Sequence, residues 1–163
     1  MSVSSEPDVR LEFLADRQEF VPQIAQWFFT EWGYKQSGNS VEATTERLMQ
    51  KLHRDRLPLP IVASQGEALL GVAQLKVREM EEFPQYEHWL GSVFVSPEAR
   101  GYGIAGKMIS WASQLAQELG IAKLYLQTEK LDGGLYARAG WQPLEEITSR
   151  GDRVLVMVRD LSL

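Results

Sequence analysis

Between Trp89 and Gln127 the chain reads strand, glycine-rich loop, helix, strand, and no other stretch limits the fold so tightly. Trp89-Leu90-Gly91-Ser92-Val93-Phe94-Val95 is a mostly apolar run of strand length, ended by Pro97. The loop Arg100-Gly101-Tyr102-Gly103-Ile104-Ala105-Gly106-Lys107 comes next. From Gly103 to Leu119, the residues Ile104, Met108, Trp111, Ala112, Leu115 and Leu119 recur on one face of a predicted helix, and Gly120 supplies the stop. Lys123 to Gln127 returns to a strand pattern. A helix joining two strands over this length predicts a βαβ unit, so those strands run parallel. Everything else has to be arranged around that unit.

Ahead of it, Val9 to Leu14 alternates as a short strand. Gln18 to Trp32 then carries Phe20, Val21, Ile24, Ala25, Trp27 and Phe28 at helical spacing before Gly33. Ser40 stands where it can cap a second helix over Val41 to about His53, which Leu57-Pro58-Leu59-Pro60 stops. Ile61 to Ser64 and Leu69 to Val77 read as a hairpin around Gln65-Gly66-Glu67, with Gly71 marking a bulge. Beyond the unit, Leu131 to Ala139 is a short helix ended by Gly140. Trp141 to Glu146 and Arg153 to Val158 form a last hairpin turning near Arg150-Gly151-Asp152. The sum is an α/β (α+β) fold, a mixed central sheet of about seven strands flanked by about four helices. Residues 9–163 are expected to be one domain and residues 1–8 a loose tail.

A chain of 163 residues with 44% hydrophobic composition can bury roughly two thirds of its unfolded surface in one core. It has no cysteine, and two scattered histidines, His53 and His88, are too few for a metal cluster, so no metal is expected. No apolar run approaches the roughly 18 residues of a membrane span, and the polar N-terminus lacks a signal-like core, so a cytoplasmic protein is expected. The net charge of -5 argues against a nucleic-acid-coating surface and mildly favours cationic partners.

Three phosphate-binding patterns overlap on the glycine loop, and each puts an anion at a helix start. As G-x-G-x-x-G (Gly101, Gly103, Gly106) it matches a dinucleotide fingerprint. However, Ser96 to Arg100 separate the strand from Gly101, only Glu129 approximates the acid such a site needs, and the last strands read as a hairpin instead of a second nucleotide-binding half. As G-x-x-x-x-G-K it nearly matches a P-loop, yet Met108 stands where a magnesium-binding hydroxyl is required, and a thioether does not replace that ligand. As R-x-x-G-x-A, from Arg100 through Gly103 to Ala105, it is the pattern of a pyrophosphate loop in acyl-CoA-dependent transferases. That reading asks for free backbone N–H groups and a favourable dipole end at the helix start, with Arg100 and Lys107 adding charge.

The segment Val93-Phe94-Val95-Ser96-Pro97-Glu98-Ala99-Arg100-Gly101-Tyr102-Gly103-Ile104-Ala105 resembles the central motif of the GNAT superfamily of N-acetyltransferases. Leu135-Tyr136-Ala137-Arg138-Ala139-Gly140-Trp141 resembles that family's later motif, a short helix with a Tyr ahead of a Gly-aromatic pair. The resemblance implies a GNAT-like fold with acetyl-CoA as cosubstrate. The backbone of Val93, Phe94 and Val95 would pair with the pantetheine arm, and Arg100, Gly101, Tyr102, Gly103, Ile104, Ala105, Gly106 and Lys107 would hold the pyrophosphate. It also implies direct attack, in a ternary complex, by a primary amine of a small molecule or peptide. Tyr136 then serves as general acid or thiolate hydrogen-bond donor. An amide N–H of Phe94 or Val95 faces the oxyanion. The base comes from Glu79, Glu81, Glu82, Glu87 and His88, with His88 or Glu82 preferred. Trp27, Phe28, Phe29, Trp32, Tyr34 and the acidic loop near Glu81 are acceptor-pocket candidates. A homodimer is left open, and an acyl-CoA-binding sensor or interaction module without turnover is the competing reading.

Overall fold

The computed structural model describes residues 8–162, so all of the expected tail except Asp8 lies outside the described residues. The strands are β1 Arg10–Phe13, β2 Leu59–Gln65, β3 Ala68–Val77, β4 His88–Val95, β5 Lys123–Thr128, β6 Gln142–Ser149 and β7 Asp152–Asp160. The α-helices are α1 Val21–Glu31, α2 Val41–Met49, α3 Ile104–Glu118 and α4 Gly134–Arg138. One seven-stranded sheet has the order β1-β2-β3-β4-β5-β7-β6, and β4 against β5 is its parallel pair. That is the βαβ unit anticipated from the loop and helix pattern.

Alternation along the strands sorts the core onto the two faces of the sheet. Ile61, Ala63, Ala73 and Leu75 turn toward α3 and pack with its Met108, Ile109 and Ala112, joined by Leu124, Leu126 and Trp141. Val62 and Val72 face the other way, onto Ile24 of α1 and Leu48 of α2. Each such aliphatic side chain contributes roughly 1.5–3 kcal/mol by leaving water. A third cluster of Met80, Phe83, Trp89, Val154 and Val156 closes the end of the sheet beneath the β3–β4 loop.

Two helices differ from their predicted extents for local reasons. Ser40 caps α2 as expected, its Oγ accepting from the Ala43 N–H at 3.0 Å, but the helix ends at Met49 instead of near His53. The chain after it turns back, with His53 Nδ1 2.8 Å from the Pro58 carbonyl oxygen. The helix expected from Leu131 begins only at Gly134, because Gly133 before it adopts a left-handed φ of 85°, which an α-helix does not accommodate.

Two irregularities in register shape the middle of the sheet. Ala63 pairs with Gly71 while Ser64 pairs with Leu69, which puts the extra residue of a bulge beside Gly71. A Cβ on Gly71 would lie 2.8 Å from Met108 Cε and 3.1 Å from the Phe94 carbonyl oxygen, so glycine lets α3 approach the sheet. On β4, Gly91 pairs with Gln74 and Phe94 with Val72, which leaves Ser92 and Val93 opposite Ala73 alone. Ser92 takes φ of 51° to make that second bulge. The parallel ladder between β4 and β5 consists of one pairing, Trp89 with Tyr125. Beyond Trp89 the two strands part.

Candidate active site

The parted strands open into a cleft of about 1100 Å³. Gly91, Ser92 and Val93 line it together with Phe28 of α1, Trp32 just past the end of α1, and Leu48 of α2. Gln127, Thr128 and Tyr136 line it as well. Val93 and Val95 pack toward α3. Phe94 points the opposite way and meets Trp27 with ring centroids 4.9 Å apart and Trp32 at 6.4 Å. Side chains therefore anchor β4 on both faces, while its main chain past Trp89 has no strand partner on the β5 side.

At the end of β4 a single turn, Pro97–Ala99, leads into the glycine loop. Arg100 folds back over the strand end: its Nε donates to the Val95 carbonyl at 3.0 Å and its guanidinium lies 5.5 Å from the Phe94 ring centre. Gly101 and Gly103 take φ of 89° and 77°, conformations that strain any residue with a Cβ. The Lys107 N–H is the first to bond back, to the Gly103 carbonyl at 3.1 Å. Among the described residues, no backbone acceptor is paired with the N–H groups of residues 101–106. Unpaired donors at the positive end of a fifteen-residue helix favour negative charge beside them. Ile104 is buried and anchors the helix start, so it offers a ligand only its backbone. Tyr102 and Lys107 are exposed at the rim.

Tyr136 is half-buried on α4, edge-on to Trp141 at 6.2 Å between ring centres. Burial, and then the negative charge of Glu79, push its hydroxyl pKa up to about 12 from the ordinary 10.0. It remains protonated throughout the neutral range.

Of the base candidates, Glu79 and Glu82 line the cleft, as does Glu81. Glu79 has a side chain only 14% exposed and accepts from Lys76 Nζ at 3.0 Å and from Gln127 Nε2 at 3.1 Å. It bridges β3 to β5 across β4, and it fits because Gly91 has no side chain: a Cβ there would run into Glu79 Oε1. Glu82 is exposed and accepts from Ser149 Oγ at 2.6 Å, which holds its pKa below the usual carboxylate value. His88 begins β4 beside Glu87, 3.8 Å from its carboxylate, and is not among the residues lining the cleft. The sequence had placed Glu79 among the acids of the β3–β4 loop. The glycine in strand β4 was the available signal that something approaches the backbone there.

The sequence profile of the acetyltransferase (GNAT) family matches residues 21–141, which includes the splayed strands, the loop and Tyr136. The chain belongs to that family. No curated protein matches it by sequence. Among solved structures, it superposes on aminoglycoside 6'-acetyltransferase type Ii with a TM-score of 0.71 and 14% identity, covering 95% of this chain and 97% of that one. An aminoglycoside 6'-N-acetyltransferase complexed with coenzyme A gives 0.72 and 11%, with 95% and 97% covered. An N-acetyltransferase from Staphylococcus aureus Mu50 gives 0.74 and 16%, with 94% and 99% covered. At these identities the likeness is one of fold. Family membership makes this GNAT chain an acetyltransferase with acetyl-CoA as cosubstrate. Among the described residues, no group of three His, Asp or Glu side chains is arranged to hold a metal ion, and no helix is long and apolar enough to cross a membrane.

Proposed function

We propose that this acetyltransferase, one domain over residues 9–163, moves the acetyl group of acetyl-CoA to a primary amine of a small molecule or peptide by direct attack in a ternary complex. The observation that carries the reading is the adjacency of two unpaired backbone surfaces, β4 beyond Trp89 and the N–H groups of residues 101–106. An extended pantetheine arm fits the first as an added strand along Val93 to Val95, and a pyrophosphate fits the second, with Arg100 and Lys107 beside it.

The neutral amine attacks the thioester carbon, a C–N bond forms, and the C–S bond breaks as coenzyme A leaves as a thiolate. Glu79 is our choice for the group that takes the amine proton, directly or through one water, because it is the least exposed of the acids in the cleft and is oriented by two hydrogen bonds. The N–H of Phe94 or Val95 faces the developing oxyanion. Tyr136 donates a hydrogen bond to the departing sulfur. Its pKa of about 12, against roughly 8.5 for a thiol, makes complete proton transfer uphill by about 5 kcal/mol. Tyr136 therefore stabilises the thiolate, and solvent delivers the final proton.

Titration calorimetry with acetyl-CoA and an amine panel read by free coenzyme A release test this reading. Acetyl-CoA should bind and at least one amine should release coenzyme A. Binding without release from any amine would favour the sensor reading. Tyr136→Phe should lower kcat about a hundredfold with acetyl-CoA affinity retained; undiminished turnover removes Tyr136 from the mechanism. We further propose a cytoplasmic location for the enzyme, the expectation drawn from its polar N-terminal sequence. The homodimer stays a proposal, supported by the unpaired outer edge of β6; a monomer mass in sedimentation would end it.

A further inference from the structure

The acceptor side of the cleft contains positive charge that no carboxylate among the described residues pairs with. Lys51, just past the end of α2, is half-buried and lines the cleft, and its ammonium makes no hydrogen bond or ion pair among the described residues. Burial, then the charges of Lys76 and Arg47, lower its pKa. Arg47, one turn back on α2, is held by neutral oxygens only, Asn39 Oδ1 at 2.8 Å and Thr44 Oγ1 at 3.3 Å. Opposite them on β3, Gln74 is 2% exposed and also lines the cleft, yet its amide makes no hydrogen bond among the described residues. A half-buried cation without a counterion costs free energy, and an anionic ligand placed between Lys51 and the Gln74 amide would relieve it.

The position of this pocket relative to the chemistry narrows the ligand. Lys76 shares the face of β3 with Gln74 and is paired with Glu79, so the cationic residues and the proposed amine site line one cleft. An acceptor that spans them carries an amine at one end and an anion close by.

We propose, resting on the transferase reading above, that the acceptor is a small amino carboxylate of the amino-acid type. Its carboxylate is bound by Lys51, Arg47 and the Gln74 amide, and its amine lies at Glu79. The carboxylate accepts hydrogen bonds from the Lys51 ammonium and the Gln74 NH2 group, and the acids of the β3–β4 loop attract the amine end. Selectivity follows from the same groups. An acceptor whose carboxylate is replaced by an amide leaves the cations unpaired.

The test uses the full chain and two sets of probes. Free L-amino acids and the matching L-amino acid amides are compared as acceptors by coenzyme A release. N-acetyl-L-amino acids and their amides are compared as product ligands by tryptophan fluorescence in the presence of coenzyme A. We expect at least one free amino acid to exceed its amide by about tenfold or more in kcat/KM, and its N-acetyl form to bind correspondingly more tightly than the N-acetyl amide. Lys51→Met should abolish both preferences mainly by raising KM for the carboxylate, and Lys51→Arg should restore part of them. Gln74→Leu should weaken carboxylate binding in a chain whose melting curve shows it folded. Equal binding of the N-acetyl carboxylates and their amides to the unmodified chain would overturn the proposal whether or not turnover occurs, as would Lys51→Met leaving the preference intact. Preferential binding of the carboxylates with no coenzyme A release from any amine would instead sustain the anion pocket and overturn the transferase reading.

Discussion

Glu79 owes its position to residues far from it in sequence. Lys76 precedes it by three positions, but Gln127 is 48 residues away, and Gly91 on the intervening strand provides the space. Replacing Glu79 by Gln keeps the shape and removes the proton acceptor, so kcat/KM should fall about a hundredfold or more at neutral pH in the coenzyme A release assay. Glu82→Gln and His88→Gln, measured beside it, should each change the rate by less than about threefold, since one is tied to Ser149 and the other lies off the cleft lining. A large loss in either of those, with Glu79→Gln unaffected, transfers the role. Gly91→Ala should reproduce the Glu79→Gln defect by displacing the carboxylate.

At the scale of elements, α3 does two separable jobs. Its flank packs Met108 against Gly71 of β3, and Gly71→Ala should destabilise the fold by about 1–3 kcal/mol in denaturant titration, because the added methyl meets Met108 and the Phe94 carbonyl. Its N-terminus presents free N–H groups to open space: a Cβ on Gly103 would meet nothing within 4 Å. Gly103→Val should therefore cost only the strain of a left-handed residue, about 1–2 kcal/mol of stability, while weakening acetyl-CoA binding tenfold or more by calorimetry. Unchanged affinity would show that the pyrophosphate lies elsewhere.

For the whole molecule, the raised pKa of Tyr136 couples the site to stability. The unfolded chain gives up this proton near pH 10, whereas the folded chain keeps it to about 12. The stabilising contribution is thus complete below pH 10 and is lost as pH rises from 10 through 12. Tyr125, raised by burial and by neighbouring Tyr86, acts in the same direction. Denaturation midpoints should decline over that window, less steeply for Tyr136→Phe. Parallel declines in the two proteins would show that the hydroxyl is solvated when folded.

The βαβ unit, the final hairpin and the glycine loop at the start of α3 were legible in the sequence because each rests on near neighbours: helical periodicity from Ile104 to Leu119, turn residues at Arg150-Gly151-Asp152, glycines at a helix start. The motif around Tyr136 singled out a residue that the structure places on the cleft lining. The end of α2 and the start of α4 were not legible, since a turn back toward Pro58 and the left-handed Gly133 outweighed helical spacing. Nor was the bulge at Ser92 and Val93, the parting of β4 from β5 after one pairing, or the grouping of Lys51, Gln74 and Lys76 in one cleft. Local pattern alone determined that this chain would form a glycine loop and a helix start beside a strand. The tertiary structure decided where that strand loses its partner and which carboxylate and cations face the opening, because those depend on register between segments the chain brings together only on folding.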